Sequence, residues 1–418
     1  MSASRNLEIA LKNGKGASDR PEFDTPKKNQ DILTSFPDTY RTTDRYYLED
    51  AAITVTSPSF GSTIQFEVKD TDMMVGNFYL DISYTNAAGA TSCRNGWISH
   101  LLNRVETRVG GQRLTWYSGE TLKYALLTQN TLVEHKKAIS LMFGTATGDT
   151  GVSNNVIPLI CPGSKGLITN TMNVDQKVFF PVGMAGQSLM FYITLGALAT
   201  IDANSKLAIS SIVLRYNRAR IKDKAMIPSQ TSGLKKALYS FVFPYFQEDA
   251  YAITAGSGAA NTQDIKSVIT QGELQCLFVS KLNVANTTAN EYFKGYAMTS
   301  INLKVEGNDT WTINSTAEYK VKNMLLNKCG PETWSSLTAN DAIGNYYVIP
   351  ISPNYTYDFF NFGAPGINFN QSNVQLITSD DNGGAGTERL YVCAIYKGVI
   401  HIYDNKSVEL KYDFSMAY

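Results

Sequence analysis

The segment "RVETRVGGQRLTWYSGETLKYALL", residues 104–127, changes its periodicity once along its length. Its first part alternates apolar and polar residues on both sides of Gly110–Gly111, which is typical of two strands joined by a tight turn. Its last part carries Leu122, Ala125 and Leu126 at helical spacing. Together with the preceding "GWISHLLN", the segment predicts a strand pair that begins near Gly96 and is followed by one short helix.

The same outline recurs in "SINLKVEGNDTWTINSTAEYKVKNMLL", residues 300–326. In both segments a V-x-G turn leads to a Trp-containing strand and then to an acidic residue that opens a Tyr/Lys/Leu helix. Near the close of each half lies a strand ending in Pro, "VFFP" at 178–181 and "YVIP" at 347–350. The nearly constant spacing predicts an internal duplication. The aligned pairs are Val109 with Val305, Trp116 with Trp311, Glu120 with Glu318 and Leu127 with Leu326.

Composition favours two β-rich domains whose surfaces are largely covered. A chain of 418 residues is long for one core and suits two domains. The 24 Tyr and 19 Phe fit pleated, half-buried surfaces. Only 18% of residues are charged, with 37 basic and 37 acidic side chains. This balance disfavours polyphosphate binding, which needs clustered cations, and favours a surface occupied by copies of the same protein.

The cysteines predict a reducing compartment. Five of them, an odd number, are widely separated and form no C-x-x-C motif, which argues against a disulfide framework and a zinc site. The start "MSASRNLEIALKNGKG" has no apolar core of a signal peptide. We therefore expect assembly inside a cell.

Turn-rich connections between short alternating runs predict an all-β chain of sandwich or barrel type. We predict an N-terminal arm at 1–45, a first domain at 46–224, a linker at 225–236 and a second domain at 237–418. The segments predicted to be long covering loops are 129–170, 247–265, 328–345 and 378–388.

No catalytic, cofactor-binding or metal-binding constellation is evident in the sequence. None of the histidines His100, His135 and His401 lies near another histidine or a cysteine in the spacing that a metal site requires. An Asp-Thr-Gly triplet at 149–151 occurs once, in a Gly/Thr-rich stretch, whereas acid proteases need two carboxylates. The basic run "RYNRAR" at 215–220 ends an apolar strand, so we interpret it as structural or as an inter-subunit contact. We predict that the protein is not an enzyme.

The segment "GWISHLLNRVETRVGGQRLTWYSGETLKY", residues 96–124, resembles the first-domain signature of double jelly-roll major capsid proteins, the adenovirus-hexon-like lineage. "AISSIVLRYNRARI" (208–221) resembles the last strand of that family's first barrel. "YYVIPISPNYTYDFFNFG" (346–363) and "ERLYVCAIYKGVIHIYDNKSVELKYDF" (388–414) resemble its second barrel, especially in polinton-like viruses, adintoviruses and virophages. The positions that match the signature are Trp97, His100, Val109, Gly110, Gly111, Gln112, Arg113 and Glu120.

This resemblance implies two tandem eight-stranded jelly-roll barrels and a structural role in an icosahedral double-stranded DNA virus. Three copies would form a homotrimeric capsomer of pseudo-hexagonal outline. Its implied partners are neighbouring capsomers and the penton, minor capsid or membrane proteins, without specific nucleic-acid binding. The arm at 1–45 would run beneath the barrels, and the protein would reside in the virion capsid.

Two other classes of function remain open from the sequence. One is a two-domain β-sandwich lectin or adhesin, in which Trp116 and Trp311 would stack on sugars, although both look like core positions. The other is a cupin-like or protease-like enzyme, for which the three scattered histidines are poorly suited.

Overall fold

The computed structural model describes most of the chain from residue 46 onward, and the statements below concern these residues. They are 46–69, 73–86, 93–129, 142–144, 152–162, 180, 182–202, 206–221, 237–254, 261–266, 273–283, 293–298, 300–315, 318, 343–351, 367–368, 373–380, 387–403 and 407–411. The predicted arm at 1–45 and the predicted linker at 225–236 lie outside them, so both stay predictions, as do the domain boundaries.

The first half of the chain forms two four-stranded antiparallel sheets packed face to face. One sheet has the order β1-β8-β3-β6 and the other β2-β7-β4-β5. Strand β7 alternates buried and half-buried residues along its whole length, as expected when one face of a sheet covers a core. The strands are β1 (Tyr46–Thr56), β2 (Thr63–Val68), β3 (Met73–Asn86), β4 (Leu102–Val109), β5 (Gln112–Tyr117), β6 (Val152–Pro158), β7 (Leu189–Leu195) and β8 (Leu207–Ile221).

The second half repeats this order. Strands β14, β11, β17 and β9 form one sheet, which β15 and β18 extend, and β10-β16-β12-β13 form the other. The bounds are β9 (Ala237–Thr254), β10 (Asn261–Lys266), β11 (Glu273–Asn283), β12 (Ser300–Val305), β13 (Asn308–Ile313), β14 (Tyr347–Pro350), β15 (Ile367–Asn368), β16 (Val374–Asp380), β17 (Thr387–Tyr403) and β18 (Val408–Lys411).

Each half is therefore a jelly roll, in which two sheets share the same four-strand order and are built from strands that are distant in sequence; β15 and β18 are additions to one sheet of the second half. The predicted all-β double jelly roll is confirmed. The described helices are short: α1 (Trp97–Leu101), α2 (Gly119–Gln129), α3 (Val182–Ala185) and α4 (Leu198–Ile201).

The hairpins β4–β5 and β12–β13 match residue by residue. Both turn on two central residues with positive φ, Gly110–Gly111 in the first and Glu306–Gly307 in the second. Both carry a bulge two pairs away from the turn. The duplication is thus visible in the backbone geometry.

This match corrects one of the pairs aligned from sequence. Thr107 pairs with Thr115 where Leu303 pairs with Trp311, so Trp311 corresponds to Thr115 and not to Trp116. Because both hairpins carry the bulge at the same place, the spacing between equivalent residues stays constant, and alignment of the two tryptophans needs a one-residue shift that the backbone does not make.

The predicted correspondence between the two Pro-containing segments, 178–181 and 347–350, is also wrong. The strand β14, "YVIP", corresponds to β6, which ends in "NVIP" at 155–158, because both lie beside the equivalent strands β3 and β11. In the segment 178–181, Phe180 makes a single bridge to Val75.

Three predicted loops contain strand residues. The segment 129–170 includes β6, 247–265 includes the end of β9 and the start of β10, and 378–388 overlaps β16 and β17. These strands pair with neighbours distant in sequence, and that pairing outweighs their polar composition. In 328–345, residues 328–342 lie outside the described part of the chain.

The segment that holds Trp97 and His100 is helix α1 rather than the predicted strand. Gly96, with a φ of 78°, reverses the chain just before it. Five residues are too few for periodicity to separate a helix from a strand, which explains the error.

Candidate functional site

The two barrels meet on helix α2, which follows β5 in the first barrel. Ser118 caps the helix, with its Oγ 3.4 Å from the Thr121 amide nitrogen. Gly119 lies so close to α1 that a Cβ there would be 1.3 Å from the Ser99 carbonyl oxygen, so only glycine allows this approach. The helix side chains from Glu120 to Leu127 are all buried. An 11-residue helix buried on all sides indicates a permanent contact.

A charged cluster lies at the centre of this contact. Glu120 Oε1 is 3.0 Å from Lys123 Nζ, and Glu120 Oε2 is 3.0 Å from His100 Nε2. Lys123 Nζ also donates to the Phe293 carbonyl oxygen of the second barrel at 3.3 Å. The Lys123 side chain is fully buried, and buried charges are tolerated only when they are paired.

The environment fixes the charge states of this cluster. Burial alone would raise the pKa of Glu120, but Lys123 and His100 lower it to about 2. Burial lowers the pKa of Lys123 and of His100, and Glu120 opposes both shifts. At neutral pH an ionised Glu120 therefore faces a charged Lys123 and a neutral His100, so the cluster has no net charge.

A second polar cluster joins the start of α2 to strands β9 and β17. Glu248 Oε1 accepts hydrogen bonds from the Ser118 amide at 2.7 Å, from the Tyr391 hydroxyl at 3.0 Å and from the Thr121 hydroxyl. Burial raises the pKa of Glu248, while these donors oppose the shift. Because the donors come from both barrels, the carboxylate ties them together.

Aromatic rings fill the remaining contact. Tyr124 stacks on Tyr346 with ring centroids 5.1 Å apart, and its hydroxyl donates to Ser280 Oγ at 2.6 Å. His100 stacks on Phe293 at 3.5 Å. Such pairs add to the free energy of area burial. The contact is therefore built like a protein core.

Helix α2 covers one side of the β9-β17-β11-β14 sheet. We call this side the second outer face. It includes Phe278, Ser280, Tyr391 and Cys393, all buried. The equivalent side of the β1-β8-β3-β6 sheet in the first barrel is called the first outer face. There Thr54 is exposed, Val213 is half-buried and Arg215 is paired with Asp81 at 3.0 Å. Thus one of two equivalent sheet faces is covered within the chain and the other is open.

The sheet that contains β4 and β5 carries a cluster of arginines on its solvent side. Arg104 and Arg113 lie over the Trp116 ring, and Arg104 and Arg108 both pair with Glu106. Trp116 is half-buried under these guanidinium groups, a cation–π arrangement. Trp311 of the second barrel is half-buried and packs against the core.

Of the residues considered for chemistry, His100 joins the buried cluster and His401 lies half-exposed on β17. His135 and the triplet 149–151 are outside the described residues. Across the described part of the chain, no three His, Cys, Asp or Glu side chains are grouped as metal ligands. In the basic run, Arg215 pairs with Asp81 and Arg218 with Glu49, so both have structural roles.

Four cysteines fall within the described residues, and each is buried and outside any disulfide bond. Burial raises the pKa of Cys93 to about 12 and also raises the pKa of Cys276 and Cys393. Their thiols are therefore protonated at neutral pH.

None of the described helices has the length and apolar content needed to span a bilayer.

The sequence did not identify Lys123 or Glu248 as members of a site. Lys123 follows Glu120 by three residues, a spacing that brings two side chains together on a helix, and this was the available signal. Glu248 lies in a segment predicted to be a loop, so nothing pointed to its burial against Ser118.

The arrangement of strands defines the class: a double jelly roll with its barrels joined by α2. No sequence-family model matches the chain, and a search of curated protein sequences finds no match. Solved structures do share the fold.

The capsid of the virus PBCV-1 aligns with a TM-score of 0.64 and 13% identity, over 90% of this chain and 99% of that one. The Faustovirus major capsid protein aligns at 0.52 and 9% identity, covering 95% and 97%. The mavirus major capsid protein aligns at 0.51 and 10% identity, covering 88% and 90%. The likeness at these identities is one of fold.

Proposed function

We propose that this protein is the structural subunit of an icosahedral double-stranded DNA virus shell and assembles into trimeric capsomers. The observation that carries the proposal is the shared fold: both barrels, in the same order, align with capsid proteins over nearly the whole of either chain. The buried α2 contact supports it, because it holds two similar barrels in one fixed relation. Three such chains would present six similar walls around a threefold axis.

The proposed partners are two further copies of the chain in the capsomer and neighbouring capsomers in the shell. Penton, minor capsid or membrane proteins would complete the shell. Specific nucleic-acid binding and catalysis are not part of the proposal. The protein would work by self-assembly, and its place would be the virion capsid.

Light scattering coupled to size-exclusion chromatography tests the proposal. We expect a species of three times the 46.1 kDa chain mass at micromolar concentration. A stable monomer under these conditions would contradict the proposed capsomer.

A further inference from the structure

The contact between the barrels within one chain shows how a helix start can bind an outer sheet face. In that contact, the start of α2 binds the second outer face, and Glu248 on β9 accepts hydrogen bonds from Ser118 and Thr121. Since the two halves are built alike, the second barrel should offer an equivalent of α2 and the first barrel an equivalent of Glu248.

Strand register identifies the equivalent of Glu248. Glu248 pairs with Cys393, which pairs with Phe278, which pairs with Val348 of "YVIP". In the first barrel, Thr54 pairs with Val213, which pairs with Asp81, which pairs with Val156 of "NVIP". Residues directly opposite in a sheet point to the same side. Thr54 therefore occupies on the first outer face the position that Glu248 occupies on the second.

The helix caps identify the equivalent of Thr121. Ser118 Oγ lies 3.4 Å from the Thr121 amide nitrogen, and after the second hairpin Ser315 Oγ accepts from the Glu318 amide at 3.2 Å. Both are the i, i+3 bond of an N-cap. Glu318 therefore stands in the second barrel where Thr121 stands in the first. Glu318 Oε2 accepts from the Asn314 amide at 2.9 Å, and a carboxylate can accept several such bonds.

The carboxylate and the hydroxyl thus exchange sides between the two contacts. Within the chain the sheet supplies the carboxylate, Glu248, and the helix start supplies the hydroxyl, Thr121. In a contact between two chains, the first outer face would supply the hydroxyl of Thr54, and the second barrel would supply the carboxylate of Glu318. Either arrangement gives one charge-assisted hydrogen bond and avoids two facing carboxylates.

The first outer face suits such a partner. Near Thr54 it carries small side chains, including Ala52, Ser83 and Val213, which allow close approach of another backbone. Its Asp81 pairs with Arg215, and its Asp50 accepts a hydrogen bond from Asn217. This polar composition differs from the aromatic second outer face, so we expect a contact between subunits that is more polar than the contact within each chain.

We infer that, in the trimer, Glu318 of one copy docks against Thr54 on the first outer face of the next copy. The inference rests on the proposed function, since it needs a trimer. It names the surface and the residue pair through which the trimer closes.

The experiment measures trimer dissociation of the full chain by sedimentation equilibrium. Thr54→Glu places a carboxylate opposite Glu318, and we expect the dissociation constant to rise at least about tenfold. Adding Glu318→Thr recreates the Thr121–Glu248 arrangement, with the carboxylate on the sheet and the hydroxyl on the facing segment, and should restore assembly to within about threefold of the unmodified chain. Gln65→Glu adds the same charge at an exposed position of the other sheet and should change nothing.

A variant with the opposite charge at position 54 provides a second, independent test. Thr54→Lys should keep the trimer at least as tight as in the unmodified chain, because a lysine attracts Glu318. This variant decides the question even if Thr54→Glu fails to fold, which circular dichroism would reveal. Weakening by glutamate and lysine alike, or no rescue by Glu318→Thr, would overturn the docking. A monomeric unmodified chain would instead overturn the proposed function itself.

Discussion

Removal of the Lys123 charge should loosen the joint between the barrels. Lys123→Met keeps the aliphatic stem but leaves the Glu120 carboxylate buried beside a neutral His100 and removes the bond to the Phe293 carbonyl. Breaking a buried ion pair by removing one partner costs about 3–5 kcal/mol of unfolding free energy. For a domain of this size, that corresponds to a fall in the melting temperature of about 6–20 °C. The pKa of Glu120 should rise as well, because burial then acts without its cation.

Urea unfolding at pH 7, followed by circular dichroism at one fixed protein concentration, measures the effect. The control is the double variant Glu120→Gln/Lys123→Met, which removes both charges and should recover most of the loss, since neutral replacement of a buried pair is often tolerated. The reasoning fails if Lys123→Met costs less than about 1 kcal/mol, the range of an exposed pair. It also fails if the double variant is no more stable than the single one.

Three further outcomes follow from the contact. Gly119→Ala should prevent stable folding, because its Cβ would lie 1.3 Å from the Ser99 carbonyl oxygen. Gly61→Ala has open space around it and should lower the unfolding free energy by only about 1–2 kcal/mol, because of its positive φ. Thermal melting compares the two variants. The folded state holds the pKa of His100 below its usual 6.5, so the unfolded chain binds a proton first and stability should fall as pH drops below that value; His100→Gln should flatten that part of the unfolding profile. Labelling with iodoacetamide and peptide mass spectrometry should find four thiols modified only after unfolding, and modification in the native state would contradict their burial. These are Cys93, Cys161, Cys276 and Cys393.

The sequence predicted the fold class because the repeated hairpins carry strong local signals. Gly110, Gly111 and Gly307 place glycine where positive φ is needed, and alternation marks the strands beside them. The errors lie where pairing between distant segments decides the structure. β6 is a strand because it pairs with β3, and its own residues, rich in Asn, did not indicate this.

The site was harder to predict than the fold. Glu120 was singled out as a helix start, but its partner Lys123 was not, and the Phe293 carbonyl that Lys123 contacts lies 170 residues beyond that lysine. Glu318, which the sequence aligned with Glu120, corresponds instead to Thr121, and its carboxylate accepts a hydrogen bond from the Asn314 amide. The burial of these side chains and the identity of their partners depend on how the two barrels pack. Residue spacing along the sequence therefore does not predict them.

Electron microscopy of the purified capsomer tests the central claim most directly, namely that a duplicated barrel lets a threefold assembly present six similar walls. Averaged images viewed along the symmetry axis should display three copies arranged as six barrel-sized densities with a near-hexagonal rim. Isolated two-lobed particles, or rings whose symmetry is not threefold, would contradict the account.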